Sequence, residues 1–369
     1  MHIKFTNLFE LIYEKKKILN KVNELIKKSQ FVGGEEVAKF EDNFRKFVKS
    51  KYCVSLGNGT DALEIAIKSI NLKKGSEIIV PVNTWISTAE AVVNNGFKLV
   101  FCDVDLNDYS ICLKDLKKKI NSKTRAIMPV HLYGNPADMI GIKKVIKSRN
   151  IKLIEDCAQA HGTRIGKKHV GNFGEIGTFS FFPGKNLGAF GSGGAIITNS
   201  KKIAEYCLRY RNHGALKKYD HNFSGGNSRL DTIQAGVLNI KLKTYNNKVL
   251  NKRNNLAKLY FEGLKNINQI EMFRLKDKNK SSFHQFVIKT DFRDKLQKYL
   301  NINNVETMIH YPYMLNQLKF FSQKKLNKAN GLGSKILSLP ISEEHKKKEI
   351  LYVIGLIKFF FKNIDYTKS

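Results

Sequence analysis

The stretch FSFFPGKNLGAFGSGG, residues 179–194, contains one charged side chain, Lys185, in a chain that is otherwise rich in lysine. Glycines and aromatic residues surround it. Apolar surroundings disfavour the ammonium form of a lysine and favour the neutral amine, which can condense with a carbonyl group. A surface lysine on a loop between two strands is the other interpretation. This stretch alone leaves both open, so the rest of the chain has to decide between them.

The segments around this stretch have the pattern of alternating strands and helices. GTFSFF and GAIITNS flank Lys185 as strand-like runs. Earlier in the chain, segments of helical length separate further strand-like runs, namely YCVSL, SEIIVPV, KLVFCDVD, TRAIMPVHL and IKLIEDC. Such alternation is typical of βα units on a largely parallel sheet. It predicts an α/β fold whose main sheet is mixed and mostly parallel.

The pattern changes near residue 240. A long polar helix, KLKTYNNKVLNKRNNLAKLYFEGL, is followed by a mixture in which SSFHQFVIKT is a strand and ILYVIGLIKFFF a helix. A chain of 369 residues is long enough for two domains. We therefore predict a large α/β domain over residues 1–240, including N-terminal helices at 8–29 and EEVAKFEDNFRKFVKS, and a smaller α+β domain over residues 241–369.

Composition limits the kinds of partner. The net charge of +32 suggests a nucleic acid or an anionic membrane, but the lysines are spread along the chain without an RNA-binding motif, a zinc module or a basic tail. The apolar run at 350–361 is too short to span a bilayer, and no secretory signal is recognisable. The five cysteines show no CxxC pair and no metal-ligand spacing. We expect a cytoplasmic protein with no metal site and no nucleic-acid or membrane partner.

Polar residues follow several strand-like runs, at the sheet edge where open α/β proteins bind ligands. GNGTDAL, after YCVSL, opens a helix whose first N–H groups and Thr60 hydroxyl could bind an anion; it is equally a good turn. Trp85 could stack on a planar cofactor or belong to the core. Asp156 could cap a helix, pair with a lysine or pair with the protonated ring nitrogen of pyridoxal phosphate. Ser180, five residues before Lys185, could add a hydroxyl to a phosphate site.

The order of these residues resembles that of the DegT/DnrJ/EryC1/StrS family of sugar aminotransferases. These are pyridoxal-phosphate enzymes of the aspartate-aminotransferase fold (fold type I) that act on nucleotide-linked keto sugars. The resemblance covers nearly the whole chain. The motifs that carry it, in order, are FVGGEEVAKFE, GNGTDALEIAI, VPVNTWISTAEAV, MPVHLYGN, IEDCAQAHGT, TFSFFPGKNLGAFGSGGAIIT, YRNHG, KKYDHN, GNSRLDTIQAGVL, HYP and LSLPI.

The resemblance implies a role for each matching residue around the cofactor ring. Lys185 matches the lysine that forms a Schiff base with the cofactor, and Asp156 matches the partner of the pyridine nitrogen. Gln159 matches a residue that packs and hydrogen-bonds beside the ring. Trp85 matches the aromatic residue that stacks on it.

The remaining implied roles concern the cofactor phosphate and the substrate. Three residues match phosphate contacts, Gly59, Thr60 and Ser180, and Asn227 of GNSRLD matches a contact from the neighbouring subunit. A shared site of this kind implies a homodimer. The positions similar to those that face the substrate are Tyr219, Arg229, His310 and Tyr311.

For the reaction, the resemblance implies ping-pong transamination from an amino donor, in this family usually L-glutamate, to a keto sugar. GNGTDAL and PGKNLGAFG look more like the enzymes that aminate carbon 3 of a dTDP-3-keto-6-deoxyhexose. A 4-keto or UDP-sugar enzyme of the same family is the alternative. Lys185 argues against the branch that has histidine there and removes an oxygen. Ser192 stands where an acidic residue is common, and YMLN at 313–316 replaces the usual Pro-x-His. The product is expected to enter amino-sugar or polysaccharide biosynthesis.

Two other classes of protein fit the sequence less well. A basic binding protein on an inactive pyridoxal-phosphate fold would have lost the catalytic positions, yet Lys185, Asp156, Gln159 and Ser180 are all present. A cysteine desulfurase would share the fold and act on a small substrate. No cysteine lies on a plausible mobile loop, and the GNSRLD and HYP segments favour the sugar-nucleotide family.

Overall fold

The computed structural model describes residues 1–9, 14–276, 278–321, 326 and 329–364. Strand formation follows the apolar runs of the sequence. The strands within these residues are β1 (Tyr52–Leu56), β2 (Glu77–Pro81), β3 (Lys98–Cys102), β4 (Thr124–Ile127), β5 (Lys152–Asp156), β6 (Arg164–Ile165), β7 (Lys168–His169), β8 (Ile176–Ser180), β9 (Gly194–Thr198), β10 (Glu271–Met272), β11 (Asn279–Lys280), β12 (Phe286–Lys289) and β13 (Ile336–Leu339).

The main sheet has seven strands in the order β1-β9-β8-β5-β4-β2-β3. β9 runs antiparallel to both of its neighbours, whereas the pairs from β8 to β3 are all parallel. The predicted mixed, mostly parallel sheet is therefore confirmed. Two three-stranded sheets, β10-β12-β13 and β11-β6-β7, complete the β-structure of the described residues.

Helices cover both faces of the main sheet and build most of the C-terminal part. Within the described residues they are α1 (Lys15–Lys27), α2 (Glu35–Val48), α3 (Gly59–Ser69), α4 (Ser87–Asn94), α5 (Leu113–Lys119), α6 (Met139–Ile146), α7 (Lys201–Tyr210), α8 (Thr232–Tyr245), α9 (Asn251–Leu264), α10 (Arg293–Ile302) and α11 (Lys347–Ile364). α1 confirms most of the helix predicted at 8–29, of which residues 10–13 lie outside the described residues. No helix in the described part of the chain has the length and apolarity that a membrane crossing requires.

The helices pack because their apolar residues recur on one face. α2 buries Phe40 and Phe44 against Phe179 and Phe181 of the segment that leads to Lys185. In the C-terminal part, α11 packs on α9 and α10 beside the sheet β10-β12-β13, which gives the smaller α+β unit of the predicted fold. The predicted domain boundary at residue 240 lies inside α8, and the division of the chain at that residue stays a prediction.

The predicted strand SSFHQFVIKT is only partly a strand. β12 begins at Phe286, and the preceding residues 281–285 instead contact the loop after β4. The Ser282 N–H donates to the Gly134 carbonyl at 3.1 Å, and the Gln285 N–H donates to the Tyr133 carbonyl at 3.2 Å. The backbone groups of this segment therefore pair outside the sheet. This segment joins the C-terminal part of the chain to the edge of the main sheet.

A buried ion pair fixes the same segment from the other side. Arg253 of α9 and Glu343 are both almost fully buried, and the Arg253 Nε donates to Glu343 Oε2 at 2.6 Å. The Arg253 Nη1 donates to the carbonyl oxygens of Ile341, Phe283 and His284, at 2.6, 3.0 and 3.2 Å. Removal of one member of a buried ion pair with this many partners lowers the free energy of unfolding strongly.

We therefore expect Arg253→Met to lower the free energy of unfolding by about 3–5 kcal/mol, because Glu343 and three carbonyl groups then lose their buried partner. Urea unfolding measures the effect. The double variant Arg253→Met with Glu343→Leu should recover part of the loss, since it buries no unpaired charge. A loss below about 1 kcal/mol in the single variant would contradict this role of the pair.

Candidate active site

The candidate site lies at one edge of the main sheet. β5 ends at Asp156 and β8 ends at Ser180, and these strands pair in parallel, so that both residues reach the same edge. β9 runs antiparallel to β8 and begins at Gly194, next to Ser180 in the ladder. The loop that contains Lys185 connects β8 to β9 and therefore spans this edge. Here open α/β folds bind their ligands.

Asp156 is a buried carboxylate in a fixed position. Its Oδ2 accepts a hydrogen bond from the Thr88 hydroxyl at 2.8 Å, and its Oδ1 accepts one from the Ala158 N–H at 3.0 Å. The Thr88 hydroxyl also lies 3.0 Å from that of Thr84, which belongs to the same turn as Trp85. The backbone of Asp156 is held by the Pro129 carbonyl and the His131 N–H. A carboxylate held in this way can accept a further hydrogen bond from a ligand without reorganising.

Lys185 lies near Asp156 in half-buried surroundings. Burial lowers the pKa of the Lys185 amine to about 8, and the negative charge of Asp156 acts in the opposite direction. Its backbone is fixed by a hydrogen bond of 2.8 Å from its N–H to the Phe182 carbonyl. A lysine with this pKa has a substantial neutral fraction near pH 8, and only the neutral amine attacks a carbonyl. The structure thus favours the chemical interpretation of Lys185 over that of a solvated surface lysine.

Gln159, Tyr311 and Trp85 form a connected group beside Asp156. The Gln159 Oε1 accepts from the Tyr133 N–H at 2.7 Å, and its Nε2 donates to the Tyr311 hydroxyl at 3.2 Å. The Tyr311 ring lies 5.7 Å from that of Trp85, at an interplanar angle of 45°. Trp85 is 58% exposed, so that one face of its ring is open to a ligand. These residues come from four separate segments of the chain.

His310 adjoins this group through its backbone and its ring. Its carbonyl accepts a hydrogen bond from the Tyr133 hydroxyl, and its Nδ1 lies 2.9 Å from the Ser338 hydroxyl. Burial, and after it the positive charge of Lys185, lower the pKa of His310 to about 4. The imidazole is therefore neutral when Lys185 is an ammonium.

The N-terminus of α3 offers backbone N–H groups to an anionic group. Asn58 caps the helix by accepting from the Asp61 N–H at 2.8 Å, whereas the preceding N–H groups of Gly59 and Thr60 have no intrahelical partner. A Cβ on Gly59 would lie 2.7 Å from the Ser180 Cβ, so only glycine allows this approach. The Thr60 hydroxyl donates to that of Ser87 at 2.9 Å. Gly59, Thr60 and Ser180 thus come together as predicted from the sequence.

Three other predicted residues make no direct hydrogen bond to this group in the described structure. Asn227 is exposed, and its Oδ1 accepts from the Arg229 Nε at 3.1 Å. Arg229 also donates to Asn212, and Tyr219 is 80% exposed. The hydrogen bonds and ring contacts of the described residues do not join these three to Asp156, Gln159 or Lys185. Their predicted roles stay predictions.

Sequence reasoning missed several side chains around Lys185. Thr88 was not predicted to hold Asp156, although it lies in the quoted motif VPVNTWISTAEAV. His161 follows Gln159 by two residues in IEDCAQAHGT, and His284 lies in the segment interpreted as a strand. The charge of Lys185 is the largest electrostatic contribution that lowers the pKa of each of these two histidines, after burial. Thr88 and His161 lie inside quoted motifs, which was their only signal in the sequence, and His284 had none.

His161 gives the protein a predictable sensitivity to acid. Burial, and after it the positive charge of Lys185, lower the pKa of His161 to about 3. Its ring packs on Phe179 and Phe181 at centroid distances of 5.5 and 5.6 Å. An unfolded histidine has a pKa of about 6.5, so the unfolded chain binds more protons between the two values, and stability falls as the pH falls through this window.

We expect the free energy of unfolding to lose about 2 kcal/mol through His161 between pH 7 and pH 5. His161→Leu should remove this part of the loss, because leucine binds no proton. Urea unfolding of both proteins at the two pH values measures the difference, and His221→Gln, at an exposed position, serves as the control variant. An equal loss in His161→Leu and the unsubstituted protein would contradict the expectation.

A second polar cluster, formed by His131, Glu155 and Cys157, is buried behind Asp156. Their potential ligand atoms lie within 4.8 Å of one another. The Glu155 carboxylate accepts from the His131 Nε2 at 3.0 Å and from three backbone N–H groups, those of Gly171, Phe173 and Gly174. Because these bonds satisfy the carboxylate, we assign the cluster a structural role in holding the loop after β7 against β5.

A type I fold with this set of groups defines a class of enzyme. The half-buried lysine of lowered pKa fits the aldehyde of pyridoxal phosphate, and the fixed carboxylate fits its ring nitrogen. The exposed indole fits the face of the ring, and the helix N-terminus fits the phosphate. The class is that of the pyridoxal-phosphate-dependent transaminases. The model of the DegT/DnrJ/EryC1/StrS aminotransferase family matches residues 13–358, and the chain belongs to this family.

Individual relatives agree with this assignment over nearly the whole chain. The chain is 40% identical over 345 residues to the dTDP-3-amino-3,6-dideoxy-α-D-galactopyranose transaminase of Aneurinibacillus thermoaerophilus, covering 93% of this chain and 94% of the relative. S. venezuelae DesV, solved in complex with a ketimine intermediate, superposes with a TM-score of 0.94 at 30% identity, covering 98% of each chain. NtdA from Bacillus subtilis, solved with bound cofactor PMP, gives a TM-score of 0.92 at 28% identity, covering 98% of this chain and 85% of that chain.

Proposed function

We propose that this transaminase moves an amino group from L-glutamate to carbon 3 of a dTDP-linked 3-keto-6-deoxyhexose. The observation that carries the proposal is the similarity to the Aneurinibacillus enzyme, whose name specifies a dTDP-linked 3-amino-3,6-dideoxy sugar. The Lys185 site supports the reaction type, and the similarity supports the substrate. A 4-keto sugar or a UDP sugar is the alternative within the same family. The product would serve amino-sugar and polysaccharide biosynthesis.

The residues of the site have separate tasks in this proposal. Bound pyridoxal phosphate withdraws electrons from the carbon that carries the amino group. The Lys185 Nζ removes the proton from the α-carbon of the donor and, in the second half-reaction, delivers a proton to carbon 3 of the sugar. A pKa of about 8 suits both tasks near neutral pH, because the amine can hold and release the proton.

Asp156 and Gln159 orient the ring in this proposal. The Asp156 carboxylate accepts the ring N–H, while Thr88 and Ala158 hold its oxygens in place. Gln159 is fixed by Tyr133 and lies beside the ring. Trp85 covers one face of the ring and excludes water from it. Gly59, Thr60 and Ser180 bind the phosphate at the N-terminus of α3.

We further propose that two copies of the chain share their sites. Asn227 is exposed and would reach the phosphate of the neighbouring subunit. Exposed apolar residues surround the start of α8: Val32 pairs with Asp231, the Phe31 carbonyl accepts from Thr232, and the Phe190 N–H donates to Gln234. Burial of such a surface against a second copy would stabilise a homodimer. Tyr219, Arg229, His310 and Tyr311 would then face the substrate.

The proposed compartment is the cytoplasm. All five cysteines are buried, and none of them forms a disulfide bond in the structure. A reducing compartment keeps thiols in this reduced form.

The reverse reaction tests the substrate, because amino sugars are more stable than 3-keto sugars. The purified protein with pyridoxal phosphate and 2-oxoglutarate is given a dTDP-3-amino-3,6-dideoxyhexose, its 4-amino isomer or a UDP-linked amino sugar. Glutamate formation is measured, together with the visible absorption of the bound cofactor. We expect turnover with the 3-amino dTDP sugar to exceed that with the others by at least about 10-fold. Preference for the 4-amino or UDP compound would select the alternative, and no turnover of any of them would overturn the proposal.

A further inference from the structure

We propose that His284 is a positioning residue for Lys185, which it holds in place through Asn186. The inference rests on the proposed role of Lys185 as the residue that binds the cofactor covalently. It adds a second segment of the C-terminal part of the chain, besides that of His310 and Tyr311, to a site centred on the edge of the main sheet.

The hydrogen bonds of Asn186 show which atom donates and which accepts in its contact with His284. Asn186 is almost fully buried and directly follows Lys185. Its Nδ2 donates to the Ser282 carbonyl at 2.9 Å, so its Oδ1 is the acceptor that faces the His284 Nδ1 at 2.9 Å. His284 must therefore carry its proton on Nδ1 and donate it. The side chain after Lys185 is thus held at both of its polar atoms.

The surroundings of His284 keep the imidazole neutral. Burial lowers its pKa well below the usual value for histidine, and the positive charges of Lys185 and Arg253 act in the same direction. A neutral imidazole keeps the donor on Nδ1 and adds no positive charge beside Lys185. The amine of Lys185 is therefore not pushed away from its place near Asp156.

The backbone of His284 is itself fixed on both sides. Phe283 has a left-handed φ of 43°, which is unusual for a bulky residue and persists only where neighbouring contacts hold it. Arg253 donates to the carbonyl groups of Phe283 and His284. On the opposite side, a Cβ on Gly134 would lie 2.8 Å from the His284 N, so the two backbones approach as closely as glycine permits.

The same segment also touches the group beside the cofactor ring. The Ser282 hydroxyl donates to the Gln159 carbonyl at 3.2 Å and lies 3.1 Å from the Thr163 hydroxyl. One short segment, residues 281–285, therefore contacts the residue after Lys185 and the backbone of Gln159. Loss of the His284 imidazole would disturb the position of Lys185 and leave the fold intact. The bonds of Ser282 to Gln159 and of Arg253 to the His284 carbonyl do not involve the imidazole and would remain.

Two substitutions distinguish the effect of the His284 N–H donor from the effect of the ring's size. His284→Phe keeps the ring and loses the donor, whereas His284→Asn places an amide N–H near the position of Nδ1. We expect His284→Phe to lower kcat by about 10- to 100-fold, with KM for the donor within about 3-fold, and His284→Asn to recover most of kcat. The rate at which apoprotein captures pyridoxal phosphate should fall in parallel in His284→Phe.

Measurement of the cofactor attached to Lys185 distinguishes failure of this inference from failure of the proposed function. Borohydride trapping followed by peptide mass spectrometry measures how much cofactor is attached to Lys185. If the unsubstituted protein traps none there, the proposed role of Lys185 fails. If it traps normally and His284→Phe equals it in trapping rate and kcat, the role of His284 is overturned.

Asn186→Ala provides the second test, because it removes the other partner of the same hydrogen bond. It also removes the bond from Asn186 Nδ2 to the Ser282 carbonyl, so its loss of kcat should equal or exceed that of His284→Phe. Adding His284→Phe to Asn186→Ala should lower kcat no further, because the His284 donor then has no acceptor to hold. Additive effects on kcat would overturn the inference, since the two side chains would then act independently.

Discussion

Lys185→Ala is expected to lower transaminase activity by more than about 10⁴-fold, the largest effect of any single substitution in this chain. Alanine removes the amine that we propose condenses with the cofactor aldehyde and moves the proton. The protein should still bind the cofactor without a covalent bond, because the proposed phosphate contacts at α3 and the carboxylate of Asp156 remain. Glutamate formation from an amino sugar and 2-oxoglutarate measures the loss.

Lys185→Arg is the matched control for charge. A guanidinium stays protonated at any pH that a protein survives, so it can neither condense with an aldehyde nor accept a proton. We expect it to be as inactive as Lys185→Ala. Residual activity in Lys185→Ala above about 1% would show that another group moves the proton and would contradict the assignment.

The pH dependence of cofactor capture follows from the same group. Burial lowers the pKa of Lys185 to about 8, so the neutral amine is about one tenth of the total at pH 7 and half at pH 8. The rate of covalent capture by apoprotein should therefore rise from pH 7 and level off above about pH 9. A rise centred above pH 10, as for a solvated lysine, would show that the site does not lower this pKa.

Asp156→Asn is expected to lower kcat by about 10³-fold, the second largest effect. The amide has the shape of the carboxylate but no charge, so it cannot stabilise a protonated ring nitrogen beside it. Removal of one charge from a buried pair costs about 3–5 kcal/mol, which corresponds to about 10²- to 10⁴-fold in rate. Steady-state rates and the absorption spectrum of the bound cofactor measure the effect.

Thr88→Val serves as the control for Asp156→Asn. It removes the hydrogen bond to Asp156 Oδ2 and keeps the carboxylate, so we expect a loss of only about 10-fold. Equal losses in the two variants would show that the orientation of Asp156 matters more than its charge. Normal activity in Asp156→Asn would contradict the proposed pairing with the ring nitrogen.

The sequence determined the fold class and the centre of the site because both depend on local patterns. Apolar runs separated by helices of regular length dictate βα units, and polar residues at the ends of such runs must meet at one edge of the sheet. Asp156 and Ser180 stand at such strand ends, and the roles proposed for them and for Lys185 come from the resemblance to the family. Gly59 and Thr60 follow from the pattern of a helix start, and the family from the order of the motifs.

The tertiary structure decided the contacts between distant segments. SSFHQFVIKT is predicted as a strand throughout, yet residues 281–285 lie outside the sheet. Their backbone and side-chain groups bond instead to Gly134, Thr163 and Arg253. The lowered pKa of Lys185 likewise depends on burial by segments far apart in the chain. His284 could not be assigned from its neighbours in sequence, because its hydrogen-bond partner, Asn186, lies 98 residues away.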